Sequence, residues 1–165
     1  MNPITVSFNH IALDVADRER SAAFYVELLG ARVIEWDDEH HLMFLRLPGS
    51  AHFADIALHE HPDRSAAYPV GHTRLAHTGW SVNDPVCLLE AHEYFTTRTR
   101  VVMCADFGVS LSVMGLDPDG HAVEFEFSEP GADGRQRWFQ LLTPDDLRDR
   151  VEARSASPRA VGLRG

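Results

Sequence analysis

The sequence predicts an α+β fold made of two βαβββ modules. Three observations carry that reading: an internal repeat, an alternating strand pattern opening each copy, and a helical stripe directly after it. The repeat aligns SFNHIALDVAD at 7–17 with RLAHTGWSVND at 74–84, pairing His10 with His77, Val15 with Val82 and Asp17 with Asp84 at a constant offset of 67 residues. Within the first copy Ile11, Leu13 and Val15 fall on one side of a strand and His10, Ala12 and Asp14 on the other, the period of a half-buried strand. Each copy thus places its histidine on the less apolar face.

The elements that follow read in order. Asp17 is a suitable N-cap for a helix whose stripe of Ala22, Ala23, Phe24, Val26, Leu28 and Leu29 stops at Gly30, a residue suited to the left-handed turn past a helix end. The second helix starts at Asp84-Pro85, where proline fits the first turn, and runs through Leu88, Leu89, His92 and Phe95. Three strands follow each helix: ARVIEW, HLMFLRL and FADIALHE in the first half, and RVVMCA, SLSVMGL and HAVEFEF in the second. DDEH and DPDG supply turn residues between them. The modules span 4–60 and 74–127, joined by a Pro-, Ser-, Gly- and Ala-rich linker at 61–73. An extension at 128–165 holds a short helix, TPDDLRDRVEAR, capped by Thr143, and ends in a flexible tail.

Size and composition bound the function. With 165 residues, 44% of them hydrophobic and 24% charged, the chain can bury a core without staples and is neither fibrous nor broadly disordered. A formal charge of −10 repels nucleic acid and anionic lipid, so neither is expected as a partner and a small-molecule substrate is. Cys87 and Cys104 lack disulfide-framework or metal-type spacing and read as reduced core residues. The N-terminus has no cationic leader, and no run of about 18 apolar residues occurs, which points to a soluble, cytoplasmic protein. His40, His41, His61 and His72 lie in hydrophilic stretches and read as solvated.

The chemistry gathers on one strand. In HAVEFEF, Val123, Phe125 and Phe127 form the apolar side, and Ala122, Glu124 and Glu126 the other. His10, His77 and Glu124 then make a two-histidine, one-carboxylate set of the kind that binds Fe(II) or Mn(II) and leaves coordination positions open. The plain alternative for each histidine is a structural or solvated side chain. Recurrence in both copies favours metal, as does the cost of burying a carboxylate without a partner.

These segments resemble the vicinal oxygen chelate superfamily, which includes glyoxalases, extradiol ring-cleaving dioxygenases, fosfomycin-resistance enzymes and bleomycin-sequestering proteins. The likeness covers about 4–127 and rests on NHIALDVADRERSAAFYVELLG, DIAL, AHTGWSV and DPDGHAVEFEF. It implies two βαβββ modules whose mixed sheets curl around a central metal cleft, the glyoxalase/bleomycin resistance/dioxygenase fold, with His10, His77 and Glu124 as ligands. Fe(II) or Mn(II) is the expected ion; Zn(II), Ni(II) and Co(II) are the alternatives. Members often dimerise, so a homodimer is one expected state.

Departures from the family pattern sharpen the comparison. Glyoxalases place a fourth ligand where this chain has Ala57, and His59 would replace it only if its strand were shifted or bulged. The wording is closest to the extradiol dioxygenases, in which histidines stand at the positions of Ala54 and Phe107 and a tyrosine at that of Met114. The acid–base residues of the reaction are therefore unidentified, with His52 as a rim candidate. Phe107 and Met114 instead offer an apolar wall to substrate, and Glu126 is a second carboxylate beside it. A phosphonate substrate is disfavoured because Val101 to Phe127 contains no Lys or Arg. Ser110 and Ser112 read as polar-face residues and Arg46 as outward and solvated. Three functions remain in view: a dioxygenase-like enzyme, a glyoxalase-type lyase or isomerase in which Glu126 moves the proton, and a noncatalytic protein that sequesters an antibiotic or other aromatic ligand.

Overall fold

The computed structural model describes residues 7–61, 75–129 and 139–156. The expected linker, apart from His61, and the tail beyond 156 lie outside these residues. The chain divides into two compact units, Met1–Thr73 and Arg74–Gly165.

The first unit runs β1 (Ile11–Val15), α1 (Arg18–Leu29), β2 (Arg32–Asp37), β3 (Leu42–Arg46) and β4 (Ile56–Glu60). Its sheet has the order β1-β4-β3-β2, with β1 parallel to β4 and the other neighbours antiparallel. Asp17 caps α1, its side chain accepting from the Arg20 N–H, and Gly30 ends the helix at φ 64°. A β-carbon costs energy in that left-handed region, which is why glycine stands there. Leu13, Val15, Met43, Leu45, Ile56 and Leu58 turn to the helix side and meet Ala22, Phe24 and Tyr25 in the core. Arg18 fixes the helix start to the hairpin, donating to the carbonyls of Asp37 (2.9 Å) and Leu42 (3.3 Å) and pairing with Asp38.

The second unit repeats this plan as β5 (Thr78–Ser81), α2 (Val86–Arg98), β6 (Arg100–Asp106), β7 (Ser110–Leu116) and β8 (Ala122–Ser128). It then adds β9 (Gln140–Leu141) and α3 (Pro144–Ser155). The sheet order is β5-β8-β7-β6-β9, so β9 extends the far edge. Sequence patterning misses that strand because two residues carry no periodicity; main-chain pairing of Leu141 with Ala105 and Gln140 with Asp106 defines it. The helix expected in the extension is present, with Thr143 and Asp146 forming a reciprocal capping box. Arg154 anchors α3 to β6 through the buried Asp106, at 3.2 Å.

Repeat and register agree. Ile11 pairs with Ile56 and Thr78 with Val123, so the 67-residue offset found in the first strands also relates their parallel partners. Ala57 is accordingly the structural equivalent of Glu124. The first strands are shorter than the alternating segments that foretold them, and His10 and His77 each stand just before one.

Gly115 allows α2 to approach its sheet. A β-carbon there would lie 2.2 Å from the Phe95 ring, and Phe95 is fully buried against Phe125. Gly115→Ala is expected to lower stability by about 1–3 kcal/mol through overpacking, measured by urea unfolding. Cys104 is buried, which pushes its thiol up to about 11, and Cys87 is raised as well, first by burial and then by Glu90 and Asp84. Both are free thiols.

Asp55 organises the turn before β4. Burial works against its charge, but the Leu47 N–H, the Ser50 hydroxyl and His52 outweigh it and hold the carboxyl below its ordinary 3.8. A depressed carboxyl adds stability above the unfolded value and loses it as pH falls through the folded one. The gap in urea stability between wild type and Asp55→Asn is therefore expected to be widest near neutrality and to close as pH drops below 3.8.

Candidate functional site

Strand pairing builds the site in the second unit. The helix-facing side of its sheet carries Val123, Phe125, Phe127, Val113 and Leu111, all buried. The other side carries two rows set by register: Gly79, Glu124, Met114 and Met103, then Ser81, Glu126, Ser112, Ala105 and Leu141. His77 precedes Gly79 by two residues and shares its side.

Glu124 is the centre of this face. It is only 7% exposed, and a carboxylate removed from water needs compensation. One oxygen accepts a hydrogen bond from the hydroxyl of Ser112, itself fully buried. The other lies 3.1 Å from Nε2 of His77. Gly79 lies beside that oxygen, and a β-carbon added there would stand 3.9 Å from it, an ordinary van der Waals contact. Glu126 is half-buried in the next position and accepts from the Ser128 hydroxyl at 2.9 Å. Met114 and Phe107 are half-buried on the flank.

In the first unit His10 is exposed, and its Nδ1 lies 2.6 Å from Oδ1 of Asn9. The side chain of the preceding residue thus meets one ring nitrogen and leaves Nε2 outside this contact. Ala57 is buried in the position equivalent to Glu124. His59 does not take its place, because β4 pairs without a bulge and His59 sits opposite Asp14, with Nδ1 3.6 Å from Oδ1. Arg46, still partly exposed, donates from Nε and Nη2 to the Phe53 carbonyl at 3.0 and 2.9 Å. One reading of the sequence needs correction. Ser112 is a buried partner of Glu124 and not an ordinary polar-face residue; its diagonal position on β7, visible only once register is known, is the signal that finds it.

His77 and Glu124 set an imidazole nitrogen and a carboxylate oxygen 3.1 Å apart, a hydrogen-bond distance between two groups of the type that divalent ions take as ligands. Among the described residues no group of three His, Cys, Asp or Glu side chains is gathered closely enough to hold a metal. The second unit on its own therefore supplies a pair.

A family profile described as Glyoxalase/Bleomycin resistance protein/Dioxygenase superfamily matches residues 7–125, and the chain belongs to that superfamily. Solved structures similar to it include a glyoxalase/bleomycin resistance protein/dioxygenase domain from Frankia sp. EAN1pec, 21% identical, covering 79% of this chain and 96% of that one with a TM-score of 0.62. A lactoylglutathione lyase from Agrobacterium tumefaciens is 20% identical over 74% of this chain and 94% of its own, TM-score 0.56. A genomically encoded fosfomycin resistance protein from Listeria monocytogenes, complexed with Mn(II) and sulfate, is 18% identical over 77% and 94%, TM-score 0.58. At these identities the likeness concerns the fold. No curated protein matches the chain in sequence. Among the described residues no helix is long and apolar enough to cross a membrane.

Removing the Ser112 hydroxyl leaves a buried carboxylate oxygen unpaired. Ser112→Ala is expected to cost about 1–3 kcal/mol in urea unfolding, and the double variant Ser112→Ala with Glu124→Leu less than the sum of the two single changes.

Proposed function

We propose that this chain is a divalent-metal-dependent enzyme acting on a small oxygen-chelating substrate, nearest in chemistry to the extradiol ring-cleaving dioxygenases. The observation that carries the reading is the approach of His77 to a buried Glu124 whose second oxygen is already held by Ser112. His77 and Glu124 would hold the ion from the second unit. By the internal repeat, His10 occupies in its own unit the position that His77 occupies in the other. Fe(II) or Mn(II) suits two neutral imidazoles and one carboxylate, and Mn(II) is named with the Listeria relative.

When bound, such an ion supplies Lewis-acid polarisation of substrate oxygens and open positions for them. The protein's own groups do the rest. Ser112 fixes the Glu124 carboxylate so that Oε2 stays directed at His77. Glu126, half-buried on the same side, is the carboxylate placed to hold or move a substrate proton at its free oxygen, and Phe107 and Met114 exclude water beside it. The second reading, glyoxalase-type proton transfer, is favoured by Glu126 standing one strand position beyond Glu124 with no histidine at positions 107 or 114.

Anaerobic loading with Fe(II), metal analysis and oxygen uptake across a catechol panel test the proposal. About one ion per chain and uptake with at least one catechol are expected, with His77→Ala weakening metal retention about 10–100-fold or more. No uptake across the panel would remove the dioxygenase reading, and equal retention by His77→Ala would remove this ligand. Protein that retains no ion but still binds an aromatic ligand would be a sequestering protein.

A further inference from the structure

The open side of the second unit's sheet changes character across its width. On β5 and β8 it is polar, with His77, Ser81, Glu124 and Glu126. On β7 and β6 it becomes apolar at the half-buried Met114 and Met103, while Ala105 and Ser112 between them are fully buried and Ser112 spends its hydroxyl on Glu124. At the far edge β9 adds Leu141 directly beside Ala105, in the same row as Glu126 and Ser112. Phe139, two residues earlier, lies with its ring centroid 5.5 Å from that of Phe107. Leu141 is 62% exposed and Phe139 53% exposed.

Phe139 just before β9 and Leu141 on it stand two residues apart, and with Phe107 they form a contiguous exposed apolar patch of the kind that marks a ligand surface. Their position selects it, because they continue the face that carries His77 and Glu124. Neighbouring strands stand about 4.8 Å apart, so β9 lies about 14 Å from β8. We infer that Phe139 and Leu141, delivered by the C-terminal extension, form with Phe107 and Met103 an apolar subsite for the distal part of an elongated substrate. That substrate carries its oxygens at one end and an aryl or alkyl group reaching about 10–14 Å away. A single-ring compound would leave the subsite empty. The substrate's oxygen-bearing end rests on the proposed function; the apolar subsite does not.

The test uses 4-phenylcatechol and catechol as a matched pair of probes, titrated by calorimetry under argon into Mn(II)-loaded protein. Wild type is expected to bind the phenyl compound at least about tenfold more tightly, the gain from burying one added ring. The double variant Phe139→Ser, Leu141→Ser should cut that ratio to below about threefold while catechol affinity stays within about twofold. Both side chains are exposed, and β9 is held by main-chain bonds such as Leu142 N–H to the Cys104 carbonyl at 2.9 Å, so the variant should keep its fold; circular dichroism checks this.

A second readout needs no metal. With methionine methyl groups labelled, 4-phenylcatechol added to metal-free protein should shift the NMR signals of Met103 and Met114 and leave the buried Met43 unmoved. An unchanged phenyl-to-catechol ratio in the variant, unmoved Met103 and Met114 signals at saturating probe, or no binding of 4-phenylcatechol at all would overturn the subsite. So would a variant that merely converts a dimer to a monomer in sedimentation with the ratio intact, since the patch would then belong to a second copy. Loss of metal retention or oxygen uptake with the methionine shifts preserved would instead count against the proposed chemistry alone.

Discussion

The parallel pairing of first and last strand in each unit governs this molecule. A parallel partner cannot be reached by a tight turn and needs a crossover; here each unit runs through a helix and two strands before its last strand returns beside its first. That return sets β8 against β5 in a register that puts Glu124 opposite Gly79, two residues past His77. A slip of one residue would turn Glu124 into the helix-side core and Val123 or Phe125 out. The packing of Phe95 against Phe125 on the helix side thus helps set which residues the other face carries.

The two units share this frame and use it differently. At equivalent places one has Ala57 and the other Glu124, so one first-and-last strand pair offers a histidine alone and the other a histidine with a carboxylate. The burial of Glu124 is tolerable because both its oxygens are engaged, one by a hydroxyl and one by an imidazole. The same arrangement makes the pair chemically available: the His77 contact is the one a cation can replace, while the Ser112 contact continues to orient the carboxylate.

The extension after β8 changes the sheet's width. α3 is held on β6 and α2, and in docking it brings β9 to an edge that would otherwise expose unpaired main-chain groups. An edge cover need not carry large apolar side chains outward, and this one does. The extension therefore bears on the character of the open face as well as on stability.

Much of this architecture was legible in the residues. The repeat, the Asp17 cap, the Gly30 stop, the Thr143 cap and the face assignment of Glu124 all follow from local geometry, because helix and strand periods act within a few residues of the chain. The equivalence of Ala57 and Glu124 also follows, since a duplicated unit preserves its spacing. Tertiary structure alone decided the role of Ser112, the seating of Arg46 on the Phe53 carbonyl and the existence of β9. Each depends on which residue of a distant strand comes alongside, and that register is fixed by packing of whole elements, which no local pattern encodes.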